Sequence, residues 1–138
     1  MFKFQSDLSK LLNRYINKKH QFGQNDCNIL VADYIDMLYG TDYVSKMKDQ
    51  YSDIVEGLRL CKKLVGFNNV LEACEKHLEQ SETIGTGSVI LIKQKHGRRI
   101  YYSASIVFNG KVITVHDDVY QVMNIKDIEY ELIFNRRK

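Results

Sequence analysis

The sequence predicts an α+β domain in which N-terminal helices pack on a C-terminal antiparallel β-sheet. Three observations carry this. From Ser6 to Leu78 apolar residues recur every three or four positions, the period of a helix with one buried stripe. From Ser88 onward the period falls to two, the period of a strand. Asn109-Gly110, set between two apolar runs, is the dipeptide that two-residue hairpins favour. Helices first and then a meander of strands is the order of an α+β domain.

The first helix is predicted over Ser6 to Lys19, with Ser6 as cap and Leu8, Leu11, Leu12, Tyr15 and Ile16 as its apolar face. Lys18, Lys19 and His20 crowd its end, where cations suit the dipole. The second helix lies within Phe22 to Gly40. Asn25 and Asp26 can accept from the free N–H groups of its first turn, and Gly40 can end it in a left-handed conformation. Thr41 to Gln50 reads as irregular, with room for one helical turn. A third helix runs from Tyr51 to Val65 with Ser52 as cap and Gly66 as stop, and Asn68 or Asn69 opens a shorter one through Leu78. Gln80 to Gly87 reads as a linker. Strands follow over Ser88 to Lys93, Ile100 to Phe108, Lys111 to His116, Tyr120 to Met123 and Glu131 to Phe134. The unbroken apolar run Val89 to Ile92 implies cover on both faces of its strand.

The chain of 138 residues, 44% hydrophobic and 27% charged, fits one folded domain spanning 1–138 rather than a disordered segment. No apolar run is long enough to span a bilayer, and the first residues lack the pattern of a secretory signal. A net charge of +3 is too mild to point to nucleic acid. Three cysteines without paired spacing imply neither a disulfide framework nor a zinc site. No metal or cofactor is expected.

Cys27 is the sharpest candidate residue. It falls at the first turn of a capped helix, where the positive end of the dipole favours thiolate over thiol and so a nucleophile. The competing reading is a small buried hydrophobe. Cys61 and Cys74 fall on apolar stripes and read as packing. The cluster Lys93, Lys95, His96, Arg98, Arg99 and the tail Arg136-Arg137-Lys138 read as solvated cations able to meet phosphates. His77 and His96 do not read as catalytic.

Gly23-Gln24-Asn25-Asp26-Cys27, Ala32-Asp33, Gly40-Thr41-Asp42 and Tyr51-Ser52 with Gly57 stand in an order that resembles the NlpC/P60 superfamily of papain-like cysteine peptidases. More narrowly the chain is similar to a phage-encoded branch of small NlpC/P60-like proteins, over roughly residues 20 to 134. The resemblance implies a thiolate that attacks an amide or thioester carbonyl, a strand histidine as base and a polar residue on the next strand to orient it. It puts Cys27 at the nucleophile position and Asp26 before it. Where the family opens its first strand with glycine-aspartate, this chain has Gly87-Ser88. The base falls near Ser103, a side chain that cannot serve as one at neutral pH, and the third position near Thr114. His116 shares a strand face with Val112 and Thr114, and so is either a displaced base or a solvated strand end beside Asp117. His20, just before the cysteine box, is a further neighbour. The resemblance implies a phage tail protein made in the bacterial host cytoplasm and carried in the virion, with other tail proteins as partners and peptidoglycan as a target. Neither membrane nor nucleic acid is expected as a partner. Function is then either structural, around an incomplete hydrolase site, or peptidase or amidase activity on peptidoglycan peptides.

Overall fold

The computed structural model describes residues 2–137. Five helices come first: α1 (Phe2–Asn13), α2 (Cys27–Tyr39), α3 (Tyr43–Met47), α4 (Ile54–Val65) and α5 (Val70–His77). Six strands follow: β1 (Leu78–Ser81), β2 (Val89–His96), β3 (Arg99–Phe108), β4 (Lys111–His116), β5 (Val119–Asn124) and β6 (Leu132–Arg136). They form one sheet in the order β1-β6-β2-β3-β4-β5, with every pair antiparallel. The α+β class read from the sequence is therefore the class observed.

Alternation along the strands gives the sheet two faces. Val89, Leu91, Ala104, Ile106, Ile113 and Tyr120 belong to the main core with Leu8, Leu11, Leu30, Tyr34 and Ile35 from the helices. This is the inner face. Ile90, Val107, Val112 and Ile133 point the other way and are covered by Ile125 and Ile128, from the 3-10 turn Ile125–Asp127 and the segment after it. The predicted cover on both sides of Val89 to Ile92 has this origin.

Several boundaries differ from expectation, each for a tertiary reason. α1 starts before Ser6, which lies inside it, and ends at Asn13 rather than Lys19. The chain then turns at Asn17, whose φ is 67°. Residues 17–20 leave the helix because they pair with β5: Asn17 N–H donates to Tyr120 C=O at 2.8 Å and Tyr120 N–H to Lys18 C=O at 3.0 Å. Asp53, not Ser52, caps α4 and accepts from Glu56 N–H. Asn69 caps α5, accepting from Glu72 N–H. Part of the predicted linker, Gln80 and Ser81, belongs to β1, which pairs with β6 as an edge strand. Lys138 of the basic tail lies outside the described residues. No helix among them is long and apolar enough to cross a membrane.

Two glycines fix how α2 meets its neighbours. Gly23 has φ +80°, and a Cβ there would lie 1.9 Å from the Tyr51 carbonyl oxygen. Gly87 has φ +92° and accepts from the Tyr34 hydroxyl at 2.7 Å, so the middle of α2 is tied to the entry of β2.

Candidate functional site

The site is built on the start of α2. Asp26 is fully buried and uses both oxygens locally. One accepts from Gly23 N–H at 2.7 Å and the other from Ile29 N–H at 3.1 Å. It therefore closes the first turn and holds the loop before it. It does not line the cleft at Cys27, and its position is that of a helix cap rather than a catalytic group.

Tyr51 supports this loop from behind. Its ring lies against Gly57 of α4, where a Cβ would come within 2.9 Å, and its carbonyl lies against Gly23. Its hydroxyl is buried without a hydrogen-bond partner among the described residues. Burial, and then the nearby Asp26 carboxylate, raise its pKa far above that of an ordinary phenol. Tyr120 of β5 reaches the same loop and donates its hydroxyl to Asn25 C=O at 2.6 Å.

Cys27, half-buried, follows the cap directly. Burial pushes its thiol up to about 12 and the adjacent Asp26 carboxylate adds to the rise, while the N–H groups of Ala104, Cys27 and Asn28 act the other way. The helix dipole was expected to favour thiolate. Desolvation and the neighbouring negative charge outweigh it, and at neutral pH the group is a thiol. Cys61 and Cys74 are buried on their helices, as their spacing predicted.

The sulfur lies at a seam. β3 and β4 pair only over Ile106–Phe108 and Lys111–Ile113. Beyond this β4 leaves β3, and a cleft of about 650 Å³ opens between Tyr101–Ser105 and Thr114–His116. Cys27, His20, Phe22 and Ile54 line it from the helix side. Gln94, Ser103, Thr114, His116, Asp127 and Glu129 also line it.

Four of the five sequence-predicted residues thus border one cleft, Cys27 from the helix side and Ser103, Thr114 and His116 from the sheet. Ser103 shares a face with Ser105 and Val107, and Thr114 and His116 share one with Val112; this is the outer face. Ser103 accepts from Gln94 Nε2 at 3.0 Å. Thr114 accepts from the Ser105 hydroxyl at 2.7 Å. The His116 side chain is 55% exposed, with Nε2 3.5 Å from the Asp117 carboxylate. The solvated reading of His116 describes this position, and the face it occupies is not the one the hairpin turns toward α2. The strand residue whose backbone meets Cys27 on the inner face is Ala104, one position beyond Ser103.

His20, which the sequence offered as a further neighbour of the cysteine box, stands on the wall of the same cleft. It lines the cleft, stacks edge-on against Phe22 with centroids 4.6 Å apart, and holds Nδ1 3.8 Å from the Asp118 carboxylate. Its backbone N–H donates to Asp118 C=O. It owes this position to the pairing of residues 17–20 with β5, which no local pattern signals. No three His, Cys, Asp or Glu side chains come together as metal ligands among the described residues.

No curated protein and no solved structure matches this chain. A family profile covers residues 2–131, and the chain accordingly belongs to the family described as a domain of unknown function, DUF6950.

Proposed function

We propose that this chain is a phage tail-associated protein of NlpC/P60, papain-like type, in which a cysteine-hydrolase cleft has become a structural or tail-tip element. The observation that carries the reading is Ala104. The strand position against the Cys27 sulfur holds a side chain that cannot take a proton, and the thiol there stays protonated at neutral pH. The remaining shell favours a fold-keeping role: Asp26 caps, Tyr51 wedges, Tyr120 ties the loop to β5. On this reading the partners are other tail proteins, the location is the virion, and peptidoglycan is at most a surface met by the tail.

Iodoacetamide tests it. Cys27 reacts at neutral pH no faster than a free thiol in water, and reacts fully only after denaturation. Fast alkylation of the folded chain that Cys27→Ser removes overturns the structural reading. Particles made without the protein should show a tail defect, and normal tails count against the assignment to the tail.

One observation favours a second reading, an active peptidase or amidase on peptidoglycan peptides. Cys27, His20 and His116 line the same cleft, and His20 already faces a carboxylate that could orient it. Cleavage of stem peptides that is lost in both Cys27→Ser and His20→Ala would establish it. Loss in Cys27→Ser and His116→Ala, with His20→Ala active, would assign the base to His116 instead.

A further inference from the structure

The β2–β3 hairpin reaches past the rest of the sheet. β6 pairs with β2 only over Val89–Leu91 and β4 with β3 only over Ile106–Phe108. The pairs from Ile92 with Ser103 to His96 with Arg99 have no third strand. Residues 92–103 hold Lys93, Lys95, Arg98 and Arg99 and no Asp or Glu, and residues 93–100 are all exposed. Among the described residues, Glu131, 3.9 Å from Lys93, is the one carboxylate within ion-pair distance of these cations. Lys95, Arg98 and Arg99 have no ion-pair partner among the described residues.

Among these charges stands Ile100, 59% exposed, the most exposed of the large hydrophobic side chains described. It lies directly across from Lys95 and on the same face as Tyr102. A purely electrostatic partner would neutralise the cations and leave this aliphatic group in water. A plane of anionic headgroups over hydrocarbon accommodates both, and a narrow arm can meet such a plane end-on without the body of the protein intervening.

We propose that the tip of the β2–β3 arm is a docking surface for an anionic phospholipid bilayer. Lys95, Arg98 and Arg99 meet the headgroup phosphates, and Ile100 enters the boundary beneath them. The surface is independent of the Cys27 cleft, since none of these four residues lines it. It also requires no membrane-spanning segment.

The test is sedimentation of the full chain with vesicles of mixed phosphatidylglycerol and phosphatidylcholine, against phosphatidylcholine alone. The chain should sediment with the first and not the second, and raised salt should release it. Arg98→Glu combined with Arg99→Glu should lower partitioning by at least about tenfold. Ile100→Ser should weaken it with every cation intact. Near-ultraviolet circular dichroism confirms that each variant is folded, as expected for exposed positions. The proposal is overturned by no partitioning into the anionic vesicles, by equal binding to phosphatidylcholine, or by an Ile100→Ser variant that binds like the parent. Tighter binding to duplex DNA through the same arginines at the same salt overturns it as well, and makes the arm a nucleic-acid surface.

Discussion

At Cys27 the dipole of α2 and the surroundings of the sulfur move the thiol in opposite directions. A capped helix N-terminus is a favourable place for a thiolate, and both the cap and the helix are where the sequence placed them. What the pattern lacks is the rest of the shell, in which burial and a carboxylate one residue away push the thiol up to about 12. The alkylation rate of folded protein should therefore keep rising with pH well beyond the ordinary thiol range, and a plateau near neutrality would contradict this. Ala104→His places an imidazole beside the sulfur and should raise the neutral-pH alkylation rate of Cys27, at a cost of about 1–3 kcal/mol in stability for enlarging a buried side chain. An unchanged rate in a folded variant would mean that position 104 does not command the sulfur. Gly23→Ala has no room beside the Tyr51 carbonyl and a left-handed backbone that L residues rarely adopt, and should destabilise by more than about 1 kcal/mol in urea unfolding.

Among the elements, those specified by their own residues were legible and those specified by partners were not. α2 and α5 start at predicted caps, α2 and α4 stop at predicted glycines, and Asn109-Gly110 makes the predicted hairpin. β1 was hidden because Gln80 and Ser81 carry no apolar alternation; their pairing comes from β6, more than fifty residues on. The early end of α1 was hidden in the same way, because Asn17 to His20 answer to β5. The candidate site depended on register. Val112, Thr114 and His116 were correctly placed on one face, but which face met α2 was decided by Ile113 and Tyr120 entering the core. Asp26→Ala should show what the cap is worth. It removes an acceptor from Ile29 N–H and leaves Gly23 N–H unsatisfied, for a loss of about 2 kcal/mol read from the denaturant midpoint.

For the whole molecule, the buried thiols set a limit at high pH. Cys27 and Cys61 are both moved by burial from about 9 to about 12, and Cys74 is moved in the same direction. Above the ordinary thiol value the unfolded chain loses protons that the folded chain retains. Stability is thus fully present below about pH 9 and declines as pH rises toward 12. Urea midpoints measured across that window should fall steadily, and the triple replacement of the cysteines by alanine should flatten the first part of the decline, before the buried Tyr15, Tyr34, Tyr51 and Tyr120, raised likewise by burial, add their own. Midpoints independent of pH would show that these thiols ionise as freely in the fold as outside it.

The parting of β4 from β3 has a consequence for motion. Past Ile113 the backbone of the β4–β5 hairpin no longer pairs with β3, and its outer margin meets residues 17–20. Amide protons of Thr114 to Tyr120 should accordingly exchange with deuterated solvent sooner than those of Val89 to Leu91, which have strands on both sides. The same breathing would widen the cleft that Cys27 lines, so that the room beside its sulfur varies with how often a hairpin lifts.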